Sequence, residues 1–313
     1  ARMEQQLLEK YDAPVPRYTS YPTAPNFQTG ISGETYAGWL AEVGANDTMS
    51  LYFHVPFCAA MCWYCGCHTK VVKRYEPISD YAATMAREVE LVADALTAAP
   101  TVVHVHWGGG TPTMLSADDF SRLMDTARER FRFAEHADIA VEIDPRTLTR
   151  DMAGALAQAG VTRASLGVQD FNVHVQEAIN RVQPYEVTEN AVHWLREAGI
   201  DAINFDLMYG LPNQTIEDVV RSVEMAYTLE PNRLALFGYA HVPWMKSHQK
   251  MINTDALADG PERMAQVEAA AEHLTELGYR AIGLDHFALP DDALSLAADD
   301  NRLKRNYQGY TTD

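Results

Sequence analysis

Six short apolar segments, at residues 49–55, 101–107, 139–143, 163–169, 201–208 and 233–239, each lead into helical sequence. No other feature restricts the fold so strongly. The helix ends are marked by particular side chains. Ser79 and Asp80 read as caps for a helix reaching about Leu96. Ser116, with Asp119 three residues on, opens another in the manner of a capping box, Asp standing in for Glu. Thr215 and Asp218 do the same for a helix running to about Leu229, and 173–179 reads as a further short one. Segments 151–159, 186–198 and 260–277 stop at Gly160, Gly199 and Gly278, glycine being the residue that suits the left-handed position after a helix. Alternating apolar strands and helices argue for a parallel sheet with helices outside. Six right-handed repeats close, or nearly close, into a barrel. The expected fold is therefore α/β, a parallel (β/α)6 partial TIM-like barrel over 49–290. An N-terminal arm and helical segment at 1–48 precede it, and a connecting segment starts at 291–313.

Within 1–48, residues 3–11 carry a short helical pattern. Residues 14–25 then hold four prolines, Pro14, Pro16, Pro22 and Pro25, which forbid a regular helix or a central strand. Composition alone favours a solvated linker there over an arm laid across a pocket.

The residues that carry chemistry collect at the C-terminal ends of the strands. Cys58 follows the first, Gly108-Gly109-Gly110 the second, and Glu142 ends the third. Gln169 and Asp170 end the fourth, Asp206 lies in the fifth, and Ala240-His241 follow the sixth. That face of a parallel barrel is where an active site belongs.

All four cysteines lie between Cys58 and Cys67. No apolar run approaches the roughly 20 residues that span a bilayer, and residues 1–6 lack a signal peptide's apolar core. A cytoplasmic, reducing compartment is expected, which disfavours disulfides. Zinc usually takes paired knuckles with a long spacer, whereas Cys58-x3-Cys62-x2-Cys65 is one compact loop. Three thiolates facing one cubane leave an iron open for a substrate or cofactor. Spacing favours an iron–sulfur cluster over zinc or inert thiols, with Cys67 either a fourth ligand or a bystander. With 25 Lys+Arg against 43 Asp+Glu, the net charge is −18. That argues against nonspecific binding to nucleic acid or anionic membrane. It leaves an anionic small molecule open, because a buried site responds chiefly to its own arginines.

With an aromatic, Tyr64, just before the third cysteine, this loop resembles the cluster loop of the radical S-adenosylmethionine enzymes. Gly108-Gly109-Gly110-Thr111-Pro112 is similar to that family's glycine-rich motif. The likeness sharpens at Pro16-Arg17-Tyr18-Thr19-Ser20-Tyr21-Pro22-Thr23-Ala24, Cys65-Gly66-Cys67, Gly167-Val168-Gln169-Asp170-Phe171, Asp206-Leu207-Met208-Tyr209-Gly210-Leu211-Pro212 and Asp285-His286-Phe287-Ala288. These resemble the oxygen-independent coproporphyrinogen III oxidases, or coproporphyrinogen dehydrogenases, from about residue 7 onward.

The resemblance implies that Cys58, Cys62 and Cys65 ligate a [4Fe–4S] cluster. It implies that Tyr52, Gly109 and Glu142 contact cluster-bound S-adenosylmethionine. Tyr64, Gly110, Thr111, Gln169, Arg181, Asp206 and Ala240 would line a second S-adenosylmethionine site, with Cys67 beside the site rather than on the cluster. The reaction implied runs through a 5′-deoxyadenosyl radical, which takes a hydrogen from a propionate β-carbon. Loss of CO₂ and one electron leaves a vinyl group, and two such events convert coproporphyrinogen III to protoporphyrinogen IX. A flavodoxin- or ferredoxin-like electron donor, an electron acceptor and a monomeric chain are expected. The resemblance also brings the arm at 16–24 close to the site, and implies a helical C-terminal domain that this sequence does not contain. A haem-binding chaperone of the same superfamily is the alternative, against which the arm motif and Cys67 argue.

Each site residue also has a plainer reading. Tyr52 reads singly as core, Glu142 and Asp206 as ion-pair partners of Arg181, and Gln169 as a strand cap. Taken jointly at consecutive strand ends, they favour a site. His54, His106, His241 and His286 stay unassigned, and Met61 and Trp63 are expected to pack or shield the cluster. For a tetracarboxylate substrate, Arg17, Lys70, Lys73 and Arg74 are the expected cations.

Overall fold

The computed structural model describes residues 5–13, 26–306 and 309–312. The arm motif at 16–24, Arg17 included, lies outside the described residues. The elements run in chain order as α1 (Gln5–Tyr11), α2 (Gly33–Ala41), β1 (Thr48–Val55), β2 (Phe57–Cys58), β3 (Lys70–Val71), α3 (Glu76–Ala95), β4 (Thr101–Gly109), α4 (Ala117–Arg130), β5 (Arg132–Ile143) and α5 (Arg150–Gln158). They continue as β6 (Arg163–Gln169), α6 (Val173–Ala178), α7 (Tyr185–Glu197), β7 (Ala202–Tyr209), α8 (Ile216–Tyr227), β8 (Arg233–Gly238), α9 (Gly260–Glu276), β9 (Arg280–Ala281), β10 (His286–Ala288), α10 (Ala293–Asp299), β11 (Lys304–Asn306) and β12 (Gly309–Thr311).

The six expected strands form one sheet in the order β1-β4-β5-β6-β7-β8, with every pair parallel. Strand order follows chain order, as right-handed βα repeats demand. The sheet is larger than expected, for β10 and β9 extend it antiparallel from β8. Of the apolar run at 279–284, only Arg280 and Ala281 enter a strand, because the chain turns through Gly283 at φ 96° and Asp285 at φ 58°.

Two element starts differ from expectation for local reasons. Helix α3 begins at Glu76, with Pro77 in its first turn, where a missing N–H costs nothing. Ser79 already donates its backbone N–H to Tyr75 O, so Ser79 and Asp80 lie inside the helix rather than capping it. Strand β5 starts at Arg132, seven residues before the apolar run. Its first part carries exposed Arg132, Glu135 and His136, and the register shifts between Val102 and His104 of its neighbour β4. Elsewhere the capping signals hold. Thr215 and Asp218 form a reciprocal capping box, and Gly160, Gly199 and Gly278 take φ of 85°, 95° and 95°.

Side chains alternate across each strand. On β6, Ala164, Leu166 and Val168 are buried outward under the helices, where they meet Leu156 and Leu195. Each such aliphatic side chain, fully buried, contributes about 1.5–3 kcal/mol. The alternate set, Arg163, Ser165, Gly167 and Gln169, lines a cavity of about 650 Å³ together with His104 and His106 of β4, Asp138 and Glu142 of β5, and Asn204 and Asp206 of β7. A TIM barrel fills this space with branched apolar side chains. Here the inner face is polar, and the fold encloses a site.

Candidate active site

Pairing of β2 with β3 pinches the cysteine loop at its base. The loop's carbonyls are then satisfied by side chains distant in sequence. Asn180 Nδ2 donates to Met61 O at 2.8 Å and Gln249 Nε2 to Tyr64 O at 2.9 Å. His248 Nε2 donates to Cys65 O at 2.7 Å and Lys246 Nζ to Cys67 O at 2.8 Å. Trp63 and Tyr64 pack against a small apolar cluster of Val175, Ile179, Leu211, Tyr239 and Ile252. The loop is therefore held in one shape by contacts on both sides.

All four cysteines are free thiols on the cavity wall. Cys62 is buried, and its Sγ receives Arg146 Nη2 and Arg181 Nη1, each at 3.5 Å. Thr111 Oγ1 points at Cys58 Sγ from 3.7 Å. Burial pushes the Cys58 thiol up. The Cys65 and Cys67 thiols hydrogen-bond each other, so Cys65 falls to about 6 while Cys67 holds its proton.

Gly109 and Gly110 bring β4's end onto this loop. A Cβ on Gly110 would lie 2.7 Å from Phe57 O and 2.9 Å from Cys58 Sγ. Gly109 sits at φ 122°, where a Cβ would meet Val55 O at 2.8 Å. Only glycine permits that approach.

Glu142 is anchored by His106 Nε2 at 3.0 Å and the Gly109 N–H at 3.2 Å. Tyr52 stacks on His106 with ring centroids 5.8 Å apart, and its hydroxyl meets His54 Nδ1 at 3.0 Å. At 40% exposed, Tyr52 is not a core residue. Asp144 lies between Arg146, at 2.6 Å, and Arg181, at 3.4 Å. Burial alone would raise Asp144, but the Arg146 hydrogen bonds and the Arg181 charge hold it below the usual carboxylate range. Arg181 also donates to Gly167 O at 2.6 Å, while its Nε is buried without a partner among the described residues. Gln169, at φ 69°, follows a register shift in β6 that turns its amide toward Gly167 and the Arg181 guanidinium.

Asp206 is pushed up to about 7, first by burial and then by repulsion from Glu142. An unfolded aspartate titrates near about 4, so the folded chain holds this proton more tightly. Its contribution to stability is complete below about pH 4 and is lost as pH rises through about 7. Asp206→Asn is expected to lose less stability than the parent between those limits. Urea midpoints at pH 5 and pH 8 measure this, and parallel pH curves would refute the assignment.

Of the thirteen residues expected from sequence, all but Tyr52 line this one cavity. Several other expectations are corrected. Lys70, Lys73 and Arg74 are exposed and do not line the cavity. The cavity's guanidiniums belong to Arg146, Arg163, Arg181 and Arg233, which the sequence reading largely missed. Each faces a carboxylate: Asp144 for Arg146 and Arg181, Asp138 for Arg163, and Asp292 for Arg233. Asp170 turns away beneath α8, where Gln214 and Asn172 donate to it, and burial raises it to about 6. Of the unassigned histidines, His106 and His286 line the cavity, whereas His241 pairs with Tyr239 at 2.8 Å. His54 donates Nε2–H to His68 O at 3.1 Å, outside it.

Among the described residues, no three His, Cys, Asp or Glu side chains converge closely enough to share one metal ion. Thiolates at separate corners of a cubane stand further apart than ligands of one ion.

Residues 52–226 match the family model described as the radical SAM superfamily. The oxygen-independent coproporphyrinogen III oxidase of Bradyrhizobium diazoefficiens is 54% identical over 299 residues, covering 96% of this chain and 66% of that protein. The enzyme of the same name from Paracoccus denitrificans is 44% identical over 315 residues, covering 99% of this chain and 70% of that one. Among solved structures, coproporphyrinogen III oxidase from Escherichia coli, described as a radical SAM enzyme, superposes with a TM-score of 0.91 at 38% identity. That match covers 99% of this chain and 69% of the other. The chain spans about two thirds of the length of these relatives.

Proposed function

The chain belongs to the radical SAM superfamily and, within it, to the oxygen-independent coproporphyrinogen III oxidases; from that premise we propose that it oxidatively decarboxylates two propionates of coproporphyrinogen III to vinyl groups, yielding protoporphyrinogen IX. It is then an oxidoreductase of haem biosynthesis. The observation that carries this reading is the junction of three elements at one point. The Cys58-x3-Cys62-x2-Cys65 loop, the Gly110 backbone against Cys58 Sγ, and the polar inner face of the sheet meet there.

Cys58, Cys62 and Cys65 would hold a [4Fe–4S] cluster, which supplies one-electron reductive cleavage of the S-adenosylmethionine sulfonium. This chain's own residues position and enclose the reactants. Glu142, fixed by His106 and Gly109, offers a carboxylate to an ammonium group. Tyr52, stacked on His106 behind that carboxylate, supports it from outside the cavity. To Tyr64, Gly110, Thr111, Gln169, Arg181, Asp206 and Ala240, which line the same cavity, we assign a second S-adenosylmethionine. The unpartnered Arg181 Nε is a donor available to it. The guanidiniums of Arg146, Arg163 and Arg233 give an acidic chain a cavity that tolerates a tetracarboxylate, each exchanging a protein carboxylate for a substrate one. The cavity's volume is in the range of small-molecule sites.

The test is anaerobic reconstitution with iron and sulfide, then incubation with S-adenosylmethionine, a one-electron reductant, coproporphyrinogen III and a one-electron acceptor for the electron each decarboxylation releases. Protoporphyrinogen IX and two equivalents of CO₂ per porphyrinogen are expected. Stable haem binding with no CO₂ released would sink the proposal in favour of a haem chaperone.

A further inference from the structure

The chain carries 43 Asp+Glu, yet residues 48–75 and 231–254 contain none. It has only six lysines, and four of them, Lys70, Lys73, Lys246 and Lys250, lie in these two stretches. The stretches are more than 150 residues apart in sequence but are fastened together in the fold. Lys246, His248 and Gln249 donate to the carbonyls of Cys67, Cys65 and Tyr64 at 2.8, 2.7 and 2.9 Å. The basic face is therefore built around the outer edge of the cysteine loop. Lys70, Lys73, Arg74 and Lys250 are exposed on these segments. Among them stand Trp244, Met245 and Met251, 73%, 74% and 60% exposed. Exposed aromatic and methionine side chains with a cationic rim have the composition of a protein-binding surface.

We infer that this face docks a small acidic one-electron carrier protein, which delivers its electron through the cysteine loop. The inference rests on the cluster reading above. Two arguments select that occupant over others. First, the chain's net charge of −18 repels an acidic partner from most of its surface, so two joined stretches that carry lysines and no carboxylates are where long-range attraction brings it. Second, the face lies over the loop whose thiols would carry the cluster, with exposed Cys67 at its edge, so docking and electron entry coincide.

The experiment measures the rate of cluster bleaching in anaerobic stopped flow, with reduced flavodoxin as the carrier. Photoreduced 5-deazariboflavin serves as a small uncharged donor. The double variant Lys73→Glu/Lys250→Glu is expected to slow reduction by flavodoxin about tenfold at low ionic strength. The difference should shrink as salt screens it, and reduction by the deazaflavin should be unchanged. Trp244→Ala should slow flavodoxin reduction to a smaller, salt-independent extent. Equal flavodoxin rates in the parent and the charge-reversed protein would overturn the inference. So would equal slowing with both donors, since that marks a damaged cluster site. Failure of the parent protein to load a cluster would instead overturn the function reading, and the inference with it.

Discussion

Cys62→Ala is expected to lose all iron-dependent visible absorption after anaerobic reconstitution, and with it all S-adenosylmethionine cleavage, whereas Cys67→Ala keeps both. Cys62 is 7% exposed, and its sulfur takes N–H donors from two guanidiniums. Hydrogen bonds of that kind orient a metal ligand and tune the group it holds. Removing the sulfur takes away the group that both guanidiniums face and leaves Arg146 and Arg181 paired with Asp144 beside a gap in the loop. Cys58→Ala and Cys65→Ala should behave alike, because each thiolate of a three-ligand cluster holds its own iron. Cys67 is the exposed thiol of the set, two residues beyond the x3/x2 spacing. Iron and sulfide per chain are the readout. Cleavage retained in Cys62→Ala would remove the basis of the cluster assignment, and cluster loss in Cys67→Ala would make it a ligand.

What the sequence disclosed depended on whether the signal was local. Cysteine spacing, the glycine triplet and the capping box at Thr215 are short-range patterns, and each is found where it was expected. The six parallel strands were legible because their outward faces are apolar under the helices. The first half of β5 was not, since its charged residues face solvent. Strands β9 and β10 were hidden by their shortness and by turns that non-glycine residues such as Asp285 enter at positive φ. The clamps from Lys246, His248 and Gln249 onto the cysteine loop join a side chain to a backbone carbonyl across about 180 residues. Such bonds leave no periodicity to read. Arg146 follows Asp144 by two residues, a spacing too common to single out. Lys70, Lys73 and Arg74 were placed at the substrate because they are near the cysteines in sequence. Nearness in sequence does not carry a side chain into the cavity: Thr69 lines it and Lys70 does not.

Gly110→Ala and Gly154→Ala make the same chemical change and should have opposite effects. Gly154 lies in mid-α5, and a Cβ there meets nothing within 4 Å. Alanine at that position lowers the entropy of the unfolded chain and favours the helix, so Gly154→Ala should stabilise the protein by about 0.5–1 kcal/mol. At Gly110 the added methyl would lie 2.7 Å from Phe57 O and 2.9 Å from Cys58 Sγ. Phe57 O is backbone of β2, which is pinned to β3, and it cannot move aside as a flexible side chain would. Overpacking of this kind costs on the order of 1–3 kcal/mol. Relief comes by one of two movements. Either β4's end withdraws and breaks the Gly110 N–H bond to Val55 O, now 2.9 Å, or Cys58 is pushed from its place. Both separate the glycine-rich turn from the cysteine loop. Gly110→Ala should therefore lower the urea midpoint and reduce iron bound per chain after reconstitution, while Gly154→Ala raises the midpoint and binds iron normally. Normal stability and iron content in Gly110→Ala would show that the close approach of β4 to the loop plays no part in assembling the site.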